Sequence, residues 1–239
     1  MKNLDSLTSQ YKPKAVTAIE NDLILNWYPK RILNRVKTFG SLLELGLGHG
    51  FSAKQFEGHF NQHIIIEGSE VVIDLFKKKH NDFKGIIVKD YFETYETDQK
   101  FDAIVMGFIL EHVDDPGLLL DRYRHMLTDD GRIFICVPNA KSLNRRLGLE
   151  LGIIKDIYEL NANDIALGHK RQFCTTSLKE LLEAHNYEVT HVEGIYLKPL
   201  PLSILKTLPD FKANLDAMLK VGIDFPELCV GIFMEVKPL

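Results

Sequence analysis

The 239-residue sequence predicts an α/β fold, a doubly wound, mostly parallel sheet with helices on both faces. Three observations predict it. Short β-rich runs alternate with amphipathic stretches as far as residue 137, the rhythm of repeated βαβ units. The runs Ile64-Ile65-Ile66, Ile86-Ile87-Val88 and Ile133-Phe134-Ile135 are apolar without alternation, as strands buried on both sides are. The first run ends in a glycine turn, Leu42-Leu43-Glu44-Leu45-Gly46-Leu47-Gly48-His49-Gly50-Phe51-Ser52, that opens into a helix.

The elements follow in order. Lys14–Lys37 has helical spacing at Ile19, Leu23, Trp27, Ile32, Leu33 and Val36, and Pro29 is expected to break it into two pieces. Strands are predicted at Ser41–Leu45, His63–Glu67, Gly85–Lys89, Asp102–Gly107 and Arg132–Val137. The helices between them are Ser52–His59, Glu70–His80 and Gly117–Leu127, and Thr128–Gly131 reads as a tight connection into the fifth strand. Pro138 and Asn139 end the parallel part. Ala140–Cys174 then breaks the rhythm with short helical pieces. Thr176–His185 is a predicted helix with Leu178, Leu181 and Leu182 on one face. Tyr187–Ile195 and Leu228–Val236 are predicted strands, and Ser203–Val221 holds a helix interrupted near Pro209. The length suits one domain over 1–239: an N-terminal helical cap (1–40), a cofactor-binding core (41–137), a lid and substrate segment (138–174) and a C-terminal helix and strand hairpin region (175–239).

Composition narrows the function. The net charge is -4, from 29 basic and 33 acidic residues, and the densest basic run, Lys77–Lys79, reads as a solvated helix face; nucleic acid is not an expected partner. No stretch of 18 apolar residues occurs, so no membrane span is expected, and Met1–Gln10 lacks a signal-peptide apolar run. Cys136, Cys174 and Cys229 are widely spaced, with no zinc-ligand or disulfide pattern. Reduced thiols and a cytoplasmic location are the expectation, and no metal site is read from the spacing. A homodimer is left open.

Open α/β sheets bind ligands at the carboxyl ends of their strands, where strand order reverses. Glu44–Gly50, Glu67, Asp90 and Gly107–His112 all fall at such ends. A dinucleotide-binding turn, Gly-x-Gly-x-x-Gly, would put its third glycine at position 51, which is Phe51. Here the glycines are Gly46, Gly48 and Gly50. Glu44 beside them would repel a pyrophosphate but suits a cationic group. A nicotinamide-dependent oxidoreductase is therefore the weaker reading, as is a non-catalytic binding protein, which has no need of three strand-end acids.

These residues resemble the class I S-adenosylmethionine-dependent methyltransferases. The family's acid-x-Gly-x-Gly-x-Gly motif is matched by Glu44, Gly46, Gly48 and Gly50, its ribose-holding acid by Glu67, and its adenine-side acid by Asp90. Leu110-Glu111-His112-Val113 with Asp115-Pro116 resembles the Leu-Glu-His-Val segment of small-molecule enzymes, including ubiquinone-biosynthesis O-methyltransferases. Gly168-His169-Lys170-Arg171-Gln172-Phe173 resembles the end of the post-fifth-strand segment in a branch linked to small-molecule or surface-sugar modification. The resemblance spans roughly Ser41 to Val192. It implies a Rossmann-like seven-stranded sheet with an antiparallel last strand, S-adenosyl-L-methionine as cofactor, and a small-molecule acceptor methylated at oxygen, with N- or C-methylation as alternatives.

It also implies roles. Glu67 accepts from the ribose hydroxyls, with Gly68 beside it, and Asp90, Tyr91 and Phe92 meet the adenine. The methionine ammonium seeks carbonyls near Gly46 and Gly107, and Leu110 lines the cofactor. Glu44 acts through the loop or water as well as directly. An oxygen acceptor needs a base: His169 and His112 are the candidates, with Glu111 as a third. Tyr158 and Arg171 are candidate substrate-binding residues. Trp27, Tyr28 and Tyr11 are read as packing residues with a possible place at the pocket, His49 as a loop residue and Cys136 as core.

Overall fold

The computed structural model describes residues 17–239. The readings of Met1–Gln10, Tyr11 and the first residues of the Lys14–Lys37 stretch lie outside the described residues. The parallel part consists of β1 (Ser41–Leu45), β2 (Gln62–Glu67), β3 (Ile86–Lys89), β4 (Phe101–Gly107) and β5 (Leu127–Pro138). Its crossovers are α2 (Phe51–Phe56), α3 (Glu70–Lys79) and α4 (Pro116–Arg124), and α1 (Thr17–Leu33) precedes it. Then come α5 (Leu143–Glu150), α6 (Ala162–Leu167), α7 (Thr175–Ala184), β6 (Tyr187–Ile195), α8 (Leu202–Leu205), α9 (Phe211–Gly222) and β7 (Gly231–Pro238). The seven strands lie in the order β3-β2-β1-β4-β5-β7-β6. β7 pairs antiparallel with both β5 and β6, and every other pairing is parallel.

Alternation along each strand builds the two halves of the core. Leu43, Ile64, Ile66, Ile104, Met106, Ile133 and Ile135 face one side, against Leu119 and Tyr123 of α4 and Leu178 and Leu182 of α7. Leu42, Ala103, Val105, Phe134 and Cys136 face the other, against Tyr28 and Ile32 of α1, Phe56 of α2 and Leu215 and Leu219 of α9. Cys136 is core, as read from the sequence. No helix among the described residues is long and apolar enough to cross a membrane.

Two local expectations are corrected. Pro29 does not divide α1, which runs through it to Leu33. The helix loses one hydrogen bond there, but Tyr28 and Ile32 are buried under the sheet, and Arg31 is clamped by both carboxylate oxygens of Glu193, at 2.6 and 2.7 Å. Packing outweighs the local preference. Residues 128–131 are a bulge within β5 rather than a connection before it: Phe101 pairs with Leu127 and Ala103 with Arg132. The sequence-predicted interruption near Pro209 is present, between α8 and α9.

The segment after β5 is an out-and-back excursion. Asn139 bridges to Phe173, and the Ala140 N–H donates to the Phe173 carbonyl at 2.7 Å. Asn139 anchors the base, its Nδ2 donating to the Cys229 and Pro226 carbonyls at 2.9 and 3.2 Å. Within the loop, Arg145 donates to the carbonyls of Ile157 and Glu159 at 2.8 and 2.7 Å. Glycine ends α6, with Gly168 left-handed at φ 82°.

Candidate active site

Strand order reverses between β1 and β4: the chain moves from β1 outward to β3, then returns to the other side of β1. The crevice at that switch point is the fold's natural ligand site, and its carboxyl ends carry Glu44–Gly50, Glu67, Asp90 and Gly107–His112.

The glycine turn is built from left-handed backbone: Gly46, Gly48 and Gly50 have φ of 82, 50 and 76°. Side chains are strained there. A β-carbon on Gly48 would meet nothing within 4 Å, whereas one on Gly46 would lie 3.0 Å from Ile109 Cδ1 and 3.6 Å from Phe92 Cζ. The turn thus has an apolar wall on one side and open space on the other. Glu67 is buried and stitches this turn to the next, accepting from the backbone N–H groups of Leu47 at 3.0 Å and Ser69 at 2.8 Å, with Gly68 and Gly48 contributing. Burial raises its carboxyl above the ordinary carboxylate value, outweighing those donors. Asp90 Oδ1 accepts from the Tyr91 N–H and the Thr94 hydroxyl, each at 2.7 Å. Gly107 is required by a close approach: a β-carbon there would sit 2.6 Å from the Tyr28 hydroxyl.

Glu44 points into the protein. It is 1% exposed, accepts from the Ser52 hydroxyl and faces His63 Nε2 at 2.9 Å. These contacts brace the turn and the start of α2. The aromatic ring of Tyr28 packs edge-on to Phe108, 5.8 Å between centroids, and its hydroxyl is raised by burial and by the Glu44 charge. Leu110, expected at the cofactor, is fully buried with Tyr123 and Phe173. Trp27 packs beside Tyr28 with its indole N–H buried and unpartnered. His49 sits exposed at the turn, 6.1 Å from the Phe51 ring.

Beyond Gly107 the backbone turns through Phe108, a non-glycine residue at φ 60°, strain of a kind concentrated at functional sites. This turn delivers Glu111 and His112, and the excursion after β5 brings His169 to them. The two imidazoles meet edge to face with centroids 4.7 Å apart. Glu111 Oε1 lies 4.0 Å from His112 Nε2. Glu111 is 1% exposed, and neither carboxylate oxygen has a hydrogen-bond partner beyond its own backbone N–H. Burial pushes its carboxyl up to about 8. Burial of the His112 ring, with repulsion from His169 and Lys170 opposed by a hydrogen bond to the Gly168 carbonyl, takes it down to about 4. His169 is also lowered, by burial, with Asp164 opposing. One ligand atom each from Glu111, His112 and His169 lie within 4.8 Å of one another, across 58 residues of sequence that hid their proximity.

The end of the excursion is pinned to this turn. The Lys170 N–H donates to the Glu111 carbonyl at 2.8 Å, Lys170 pairs with Asp114, and Arg171 Nη2 donates to the Asp114 carbonyl at 2.9 Å. Arg171 Nη1 is buried without a partner. Tyr158 stands apart: its hydroxyl donates to Cys174 Sγ at 3.2 Å, and its polar contact is not with the imidazoles. Sequence reasoning missed Ile109, Ser52, His63 and Asp164. His63 left a trace, a polar residue opening the Ile64-Ile65-Ile66 run; Ile109, one apolar residue among several, left none.

Comparison with known proteins agrees with this geometry. Residues 23–192 match the model of a family described as a methyltransferase domain. A mitochondrial ubiquinone biosynthesis O-methyltransferase of Dictyostelium discoideum is 28% identical over 113 residues, 46% of this chain and 33% of that protein. An (S)-coclaurine N-methyltransferase of Papaver somniferum is 28% identical over 141 residues, 56% of this chain and 39% of that protein. The matched parts thus span well under half of these curated relatives. Among solved structures, a Burkholderia thailandensis 1,6-didemethyltoxoflavin-N1-methyltransferase with bound 1,6-didemethyltoxoflavin and S-adenosylhomocysteine superposes with a TM-score of 0.63 at 16% identity, covering 98% of this chain and 84% of that one. A DhpI–SAH complex gives 0.62 at 13% identity, covering 99% and 95%. The chain belongs to the family described as a methyltransferase domain, on the class I S-adenosylmethionine-dependent methyltransferase fold.

Proposed function

We propose that this protein transfers a methyl group from S-adenosylmethionine to an oxygen of a small acceptor. The observation that carries the oxygen reading is the meeting of two imidazoles, His112 and His169, at the end of β4, each held below its ordinary value by burial. An oxygen nucleophile must lose its proton, and a neutral imidazole is the group that takes it.

The residues present fit the cofactor. The open side of Gly48, the apolar wall of Ile109 and Phe92, and the carboxylates of Glu67 and Asp90 suit a nucleoside. Glu67 would hold the ribose hydroxyls, a charge-assisted contact. Asp90 and Phe92 would hold the adenine, and the N–H groups at the start of α2 would face the methionine carboxylate. When bound, the cofactor supplies an activated methyl carbon on its sulfonium. The chain's own work is positioning. Tyr28 closes the crevice over Gly107. The excursion at 138–174 covers the acceptor side, and Arg171 offers a buried guanidinium N–H to an acidic group of the acceptor. Three buried free thiols support a reducing, cytoplasmic setting.

The test is product analysis. Purified protein is incubated with isotopically labelled methyl donor and a panel of hydroxylated and amine acceptors, and the labelled carbon is located by NMR. An O–CH3 product supports the reading; exclusive N–CH3 or C–CH3 products contradict it. The His169→Ala variant should lower kcat by about 100-fold or more while leaving cofactor affinity nearly intact. Equal loss of both would show instead that the lid had collapsed.

A further inference from the structure

We propose that the Tyr28 hydroxyl recognises the positive sulfonium of the methyl donor, its oxygen made electron-rich by a buried hydrogen-bonded relay through Ser52 to Glu44. The proposal rests on the cofactor reading above and deepens it: the relay lets the crevice tell the charged donor from its neutral demethylated product.

The relay begins at Glu44, which is 1% exposed. Its carboxylate accepts from the Ser52 hydroxyl and faces His63 Nε2 at 2.9 Å. A hydroxyl has one proton to give. Ser52 gives its proton to Glu44, so its oxygen accepts from Tyr28, to which it is hydrogen-bonded. Burial and the Glu44 charge hold the Tyr28 hydroxyl well above its ordinary value, so Tyr28 keeps the proton it shares with Ser52. The phenolic oxygen then presents lone pairs alone. Tyr28 and Ser52 are both buried. Each bond in a buried series polarises the next, and one that ends on a carboxylate is strengthened further. Part of the negative charge of Glu44 is thereby carried to an oxygen on α1.

That oxygen stands over the end of β4. A β-carbon on Gly107 would lie 2.6 Å from it and 2.8 Å from Tyr28 Cζ, so a glycine at 107 is what admits the hydroxyl to the strand end. The crevice opens there: Glu44 of β1 pairs with Val105 of β4 and Leu45 with Met106, and the glycine turn follows directly. The helix is fixed on both sides of Tyr28. Gln55 Nε2 of α2 donates to Asn26 Oδ1 at 3.1 Å, and Glu193 clamps Arg31. Phe108 packs edge-on against the Tyr28 ring. An oxygen held this way is oriented before any ligand arrives, the condition under which fixed dipoles discriminate charge.

The chemistry of the oxygen selects its ligand. Lone pairs polarised by a carboxylate attract a cation and the polarised C–H bonds beside it. A sulfonium carries a full positive charge; the thioether left after methyl transfer carries none. Tyr28 therefore favours the donor over the product, and Ser52 and Glu44 are positioning residues that act through it. The same contact weakens once the methyl group has left, which eases product release.

The experiment measures, by calorimetry on the full chain, the affinities for S-adenosylmethionine and for S-adenosylhomocysteine, and takes their ratio. Tyr28→Phe keeps the ring and removes the oxygen. It should lower the preference for the methylated compound by about 3- to 10-fold, through weaker binding of that compound. Ser52→Ala leaves Tyr28 in place and breaks the relay; it should lower the same ratio, and Ser52→Thr, which keeps the hydroxyl, should restore it. A purely structural role would weaken both ligands equally and leave the ratio where it was. An unchanged ratio in folded Tyr28→Phe overturns the proposal while the cofactor reading stands. An unchanged ratio in folded Ser52→Ala overturns the relay, and decides the matter if Tyr28→Phe fails to fold. Wild-type protein that binds neither compound overturns the proposal and the cofactor reading together.

Discussion

At the scale of single residues, two acids that look alike in the sequence do different work. Glu44 is the penultimate residue of β1 and Glu67 the last of β2, yet Glu44 turns inward to Ser52 and His63 while Glu67 stitches the glycine turn to the next. Glu67→Ala should weaken S-adenosylhomocysteine binding by about 1.5–3 kcal/mol, the value of hydrogen bonds to a charged group, measured by calorimetry on folded protein. The pH dependence has a definite sign. The Glu67 carboxyl is raised by burial, and the ribose contact needs the ionised form. Affinity should therefore fall as pH drops through that raised value, at a pH above the ordinary carboxylate range, and Glu67→Gln should flatten the profile. Gly107 makes a second residue-scale prediction. The Tyr28 hydroxyl fills the space a β-carbon would need, so Gly107→Ala should destabilise the fold by about 1–3 kcal/mol, read by urea denaturation.

At the scale of elements, the excursion after β5 is held by backbone carbonyls that two side chains gather. Asn139, 2% exposed, ties its base to Pro226 and Cys229, and Arg145 ties its middle to Ile157 and Glu159. Arg145→Met should speed proteolytic cleavage between residues 150 and 165 with little change in the global unfolding midpoint, since the loop lies outside the two sheet-face cores. Asn139→Ala should lower global stability by about 1–3 kcal/mol, because it strips partners from buried carbonyls. Element identity was legible where a residue's neighbours in sequence decide it. Ile64-Ile65-Ile66 and Ile133-Phe134-Ile135 could only be strands covered on both faces. Pro29 shows the limit: its local preference is set aside by the burial of Tyr28 and Ile32 and by the Arg31–Glu193 clamp, and Glu193 lies 162 residues away. The bulge at 128–131 was hidden likewise, since register is a property of two strands.

At the scale of the whole molecule, the glycine turn and the strand-end acids were readable because βαβ connectivity places every strand's carboxyl end on one edge. The insertion of β7 between β5 and β6 was not written in any local pattern; the resemblance alone supplied its antiparallel direction. The acceptor side was the least legible. His112 and His169 could be named, but their 4.7 Å approach and the orphaned Glu111 between lid and core depend on a 35-residue excursion returning to Phe173.

The central claim is that the crevice between β1 and β4 grips an adenosyl sulfonium. Calorimetric titration of the full chain with S-adenosylmethionine and with S-adenosylhomocysteine tests it most directly. One-to-one binding with a dissociation constant of about 1 μM to 1 mM, weakened by Glu67→Ala, is the predicted result. Well-folded protein that gives no heat with either compound would contradict it.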